Sequence, residues 1–168
     1  MIPLSSSLIR HLKTLSATAA LGLMSLGGLV AAPALAQSAQ FDSLNLSATE
    51  ASSQARGTAM GRYQLANIAS RDHTGTLCLG YSTETPSHLL VLDHDIEALT
   101  LQVDSGGNDT TLLVQGPNNI IHCGDTTSRR NLDAQIQGQN WPAGTYRVWV
   151  GAYDLGQRHN YTLHISQP

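Results

Sequence analysis

The residues able to do chemistry are two cysteines, Cys78 and Cys123, and a set of histidines, aspartates and aromatics scattered among short apolar runs. His73, His88, His94, His122, His159 and His164 would serve zinc if three of them converged. Their spacing argues against it. His159 and His164 are an odd number of residues apart, so in a regular strand they face opposite sides. Asp93 and Asp95 place His94 in a turn beyond the run that holds His88. These rings are read as histidines on polar faces. Asp104, Asp109, Asp125 and Asp133 lie at or near strand ends and form a calcium candidate, with Ser105, Asn108 and the Gly106-Gly107 carbonyls as helpers. Calcium takes roughly six to eight oxygens. No EF-hand spacing links these acids, and the competing account is that they cap turns by bonding nearby backbone amides. Nucleophilic catalysis needs a Ser or Cys beside an oriented His, and no Gly-x-Ser-x-Gly elbow is present. A small secreted hydrolase therefore stands behind two non-enzymatic readings, an accessory binding module and a carbohydrate-binding module.

The carbohydrate reading rests on Trp141, Trp149 and Tyr153, because flat rings on a sheet can stack against the apolar faces of sugars. In the run 145–151, Tyr146, Val148 and Val150 share one face, and Arg147 and Trp149 share the other. If the first set is core, Trp149 looks outward, and Trp149, Arg147 and Tyr153 become ligand-binding candidates. Alternatively, segment 37–70 lies over Trp149. Pro142 and Gly144 make Trp141 a turn residue that plugs one end of the fold.

The elements that must position these residues follow an export signal. Residues 1–13 hold Arg10, His11 and Lys13 and no acid, and an apolar stretch to Val30 follows, shorter than the roughly 20 residues that span a bilayer. Ala34 and Ala36 fit a signal-peptidase site, so residues 1–36 are read as a signal peptide cut before Gln37. The remaining chain has 7 Arg, no Lys and 12 Asp+Glu, net −5 by 7 − 12. That charge disfavours nucleic acid and anionic lipid as partners, and no membrane span remains after processing. An exported chain can pair Cys78 with Cys123, closing a loop of about 46 residues for roughly 4 kcal/mol of chain-entropy stabilisation.

Segment 37–71 shows no sustained period and is read as an extended arm with one short strand near 41–46. From residue 72 onward, eight apolar runs, most of them closed by Gly, Pro, Asn or Asp, signal an antiparallel all-β sandwich over 72–168. The runs are 77–82, 88–92, 99–103, 110–115, 119–123, 134–137, 145–151 and 161–165. Several alternate, as Leu99, Leu101, Val103 do, and so bury one face only.

Asp109-Thr110-Thr111-Leu112-Leu113-Val114-Gln115-Gly116-Pro117, then Cys123, then Trp141-Pro142-Ala143-Gly144-Thr145-Tyr146-Arg147-Val148-Trp149-Val150-Gly151, then Tyr161-Thr162-Leu163-His164-Ile165, resembles the bacterial pre-peptidase C-terminal domain and its cyanobacterial secreted relatives. The resemblance covers roughly residues 76–167. It implies a jelly-roll-like sandwich with accessory work: binding an envelope or matrix partner, secretion, or calcium-stabilised folding. Relatives tend to carry paired aspartates after the position of Cys123. Here Asp125 stands alone, which weakens a calcium site by analogy.

Overall fold

The computed structural model describes residues 38–168, and the expected signal peptide lies outside them. Eleven strands form: β1 (Leu44–Leu46), β2 (Ser52–Ala59), β3 (Tyr63–Gln64), β4 (Tyr81–Ser82), β5 (His88–Leu92), β6 (Ile96–Asp104), β7 (Thr110–Gln115), β8 (Ile121–Ser128), β9 (Asn131–Trp141), β10 (Gly144–Ala152) and β11 (His159–Ser166). Hydrogen-bonded neighbours run β1-β5-β10-β7-β8-β9-β6-β11-β2, with the β3–β4 pair attached to β10. Every pairing is antiparallel except β1 with β5. The architecture is the expected all-β sandwich, with eleven strands where eight apolar runs were read.

The alternating runs do what their period requires. Leu99, Leu101 and Val103 of β6 and Tyr161, Leu163 and Ile165 of β11 turn inward to meet Tyr146, Val148 and Val150 of β10 in the main core. Each fully buried aliphatic side chain there contributes about 1.5–3 kcal/mol through removal of its surface from water. The two sheets are joined by β8 itself. Its residues 121–124 pair with β7, and from Asp125 onward it pairs with β9. Gly124 occupies this corner because a Cβ there would lie 2.2 Å from the backbone oxygen of Gln135. No larger residue allows the two strands to meet so closely.

Two expectations are corrected. Segment 37–71 is not an irregular arm. It supplies β1, β2, β3 and a short 3-10 turn at Leu65–Asn67, and β2 pairs along its whole length with β11. It escaped notice because β2 is an edge strand in which only Ala55 and Ala59 are buried. The run 77–82 is a strand only at Tyr81–Ser82. Leu77 makes an isolated bridge to Arg71 and is 48% exposed. Cys78 is therefore on a connecting segment, bonded through its amide to the Ser70 carbonyl.

A second, smaller core lies on the outer face of the β10–β7–β8 sheet. Leu113, Trp149 and the Cys78–Cys123 disulfide pack there with Leu65, and Ile68, Ala69 and Ile121 sit against them. The cysteine Cα atoms are 5.2 Å apart, within ordinary bridging distance. The staple thus holds the connecting segment onto the sheet.

Candidate functional site

Before Gly124 on β8, and past Gln135 on β9, the two strands diverge. Residues 136–139 and Trp141 of β9 pair with β6 on one side, and 136–141 have no strand partner on the β8 side among the described residues. A groove of about 910 Å³ opens between them. One wall is the loop 72–76, and the other is built from Thr100 of β6 and Gln135, Gln137 and Gln139 of β9, with His122 at the base.

The loop wall is tied down by a single carboxylate. Asp72 Oδ1 accepts the amides of Thr74 (2.8 Å) and Thr76 (2.9 Å) and the Thr74 hydroxyl (2.8 Å), and Oδ2 accepts the Cys123 amide (3.3 Å). Burial acts to raise the Asp72 pKa, but these hydrogen bonds from Thr74, Cys123 and Thr76 outweigh it and the pKa is lowered. Next to it, His73 Nδ1–H donates to the Ile121 carbonyl at 2.8 Å, which fixes the tautomer and leaves Nε2 as the ring's acceptor.

At the base, His122 stacks on Trp141, with ring centroids 4.1 Å apart and planes 13° off parallel. His73 meets His122 edge-on at 4.6 Å. Gly138 makes room for the indole, because a Cβ there would fall 2.9 Å from Trp141 Cζ2. The His122 pKa is pushed down to about 4, by burial first and by the neighbouring His73 second, with Asp72 opposing. The imidazole is therefore neutral near pH 7. With Gln, Asn and Thr side chains on the walls and no Lys or Arg among the lining residues, the groove offers hydrogen bonds and one committed carboxylate. That chemistry suits binding.

Two of the six histidines, His88 and His122, do not lie on polar faces as expected, whereas His73 and His164 are exposed and His94 and His159 partly so. His88 is fully buried: Nδ1–H donates to the Asp42 carbonyl (2.7 Å) and Nε2 accepts from the Tyr161 hydroxyl (2.8 Å). Burial depresses its pKa despite Asp42. His122 is buried as described, and His94 is partly exposed and bonded to Asp93. Among the described residues, no group of three His, Cys, Asp or Glu is placed to hold a metal.

The calcium candidates divide. Asp133 accepts the Ser105 amide (2.9 Å), the Ser105 hydroxyl and the Gly107 amide (3.0 Å), and Asp104 accepts the Gly106 amide (3.2 Å). Those two cap the turn before β7. Asp109 has its pKa raised by burial and then by the Asp125 and Asp154 charges, with His159 opposing. Asp125 itself bonds Thr126.

Trp149 is only 4% exposed, and its Nε1–H donates to the Glu84 carbonyl at 3.2 Å. Leu65 and Ile68 of the former arm cover it. Its ring is not offered to a flat ligand, and of Trp149, Arg147 and Tyr153 only Tyr153 presents an exposed ring, at 43%. Sequence reasoning missed the groove itself. Its signal was the length of β9, whose polar alternation Gln135, Gln137, Gln139 runs on past the short apolar run at 134–137. The serine hydroxyls nearest the core, Ser82 and Ser87, are bonded to the Val150 carbonyl and amide.

No family model and no curated protein matches the chain. Among solved structures it is similar to PliG of Aeromonas hydrophila, a periplasmic lysozyme inhibitor of g-type lysozyme. Identity is 17% over 74% of this chain and 97% of that one, with a TM-score of 0.42.

Proposed function

We propose that the chain is an exported, non-enzymatic binding module of the pre-peptidase C-terminal type, holding an envelope or extracellular partner in the groove between β8 and β9. The observation that carries this reading is the groove: about 910 Å³, lined mostly by neutral hydrogen-bonding side chains together with the Asp72 carboxylate, and framed on both sides by fixed backbone. The disulfide supports export, because such bonds persist in oxidising compartments. Among the described residues no helix is long and apolar enough to cross a membrane.

A protein partner is favoured over a polysaccharide because the only exposed ring of the three candidates, Tyr153, lies outside the groove. The test is retention of native envelope and medium fractions by the immobilised chain and by a Gln137→Arg/Gln139→Arg variant, whose changes fall on exposed positions that the fold tolerates. The parent is expected to retain a protein that the variant loses. Equal retention by both, or retention of polysaccharide alone, contradicts the reading.

A further inference from the structure

The groove is bounded by something more specific than polar side chains. In an antiparallel ladder each residue turns its N–H and C=O toward one neighbour, and the next residue turns them toward the other. Residues 136–139 pair with β6 on one side, so alternate members of the segment present unpaired backbone groups to the groove. Exposed strand edges are ordinarily blunted by brevity, charge or proline. At one end of the strand path, β1 is three residues long. Here the sequence is Ile136-Gln137-Gly138-Gln139-Asn140, with neither charge nor proline, and only the left-handed Asn140 (φ 58) ends the regular edge. At about 3.3 Å per residue the open edge runs roughly 16 Å.

The charged residues that line it are all acidic, and the neighbouring Arg71 is engaged with the Gly75 carbonyl. Asp72 stands on the loop wall, and Asp95 and Glu97 flank the far end beside Asn140. Residues 38–168 carry 7 Arg and no Lys against 12 acids, −5 by 7 − 12. Resting on the groove reading above, we infer that the occupant is an extended, cationic segment of a partner protein that adds to the sheet as a strand along residues 136–140 of β9. Main-chain hydrogen bonds hold it, as in other strand-addition complexes. Its alternate side chains point toward the Gln137 side and toward the His122 side. Lys or Arg in the segment meets the acids at the two ends of the groove, so binding weakens as salt rises.

The experiment is a selection from a displayed library of random ten-residue peptides against the exported chain. It is followed by synthesis of the leading peptide and of two twins, N-methylated at its odd or its even positions. Enriched sequences are expected to be rich in β-branched residues and Lys or Arg, and to slow amide exchange at 136–140. One twin and not the other is expected to lose about tenfold or more in affinity, near 1.4 kcal/mol. Twins that both bind like the parent, or both fail, overturn strand addition while leaving a groove-protected complex, and hence the binding reading, intact. No enrichment, or protection confined to another face, overturns both. A free chain that sediments as a dimer with 136–140 already protected assigns the edge to a second copy and overturns the cationic partner.

Discussion

Replacing Trp149 by alanine tests the second core. The indole is 4% exposed and packs among Leu65, Leu113 and the Cys78–Cys123 bridge, with Ile68 above it. Truncating a buried Trp costs about 3–5 kcal/mol in transfer and cavity terms. The lower end applies here for two reasons. The cover formed by Leu65 and Ile68 is a connecting segment that can settle into the void, and Glu84, whose carbonyl loses its donor, is exposed and can bond water instead. The expected loss is therefore about 3 kcal/mol by urea denaturation, or roughly 10 °C in Tm for a domain of this size. Tyr153→Ala, at an exposed position, is expected to stay within about 0.5 kcal/mol. A Trp149→Ala loss below about 1 kcal/mol, with unchanged denaturant slope, refutes the claim that segment 65–69 is part of the fold.

Three further outcomes are expected. His122, neutral and buried with its pKa at about 4 against an unfolded value near 6.5, makes the folded chain bind fewer protons than the unfolded chain. Stability should therefore fall from pH 6.5 toward pH 4 by on the order of 2 kcal/mol, with His88 adding in the same direction. Urea midpoints across that range should show a shallower slope in His122→Gln, and an identical slope in both proteins would contradict the assignment. Thiol counting on unfolded, unreduced protein should find no free thiol, and reduction should lower stability by roughly 4 kcal/mol. Two titratable thiols would be the contrary result. Gly124→Ala sets a Cβ against the Gln135 oxygen and should destabilise by about 2 kcal/mol or more, whereas a neutral effect would mean that β8 does not turn its corner there.

Much of the sandwich was legible because its main core obeys a period of two. β6 alternates from Leu99 to Val103 and β11 from Tyr161 to Ile165, and both of these runs lie within the strands observed. What alternation could not show is a strand buried on both faces. Leu112-Leu113-Val114 and Val148-Trp149-Val150 are unbroken apolar runs in β7 and β10, each serving the main core on one side and the second core on the other. That pattern was the signal that segment 65–78 must cover the sheet. β2 was illegible for the opposite reason. As an edge strand it buries two alanines, and its Ser-Ser-Gln-Ala-Arg-Gly-Thr-Ala sequence carries too little apolar contrast to register. The cysteine pairing was legible because only two cysteines exist. The groove was not, since it arises from where β8 leaves β9, a property of pairing register that no single segment encodes.

The central claim, that the face between β8 and β9 is where a partner sits, is tested most directly by amide hydrogen exchange on residues 37–168 with and without a protein captured from an envelope fraction. The account expects protection to appear at 136–140 and to deepen at 72–76, while exchange at Tyr153 and Leu155 is unchanged. Protection centred on Tyr153 and Leu155, with 136–140 still exchanging freely, would contradict it.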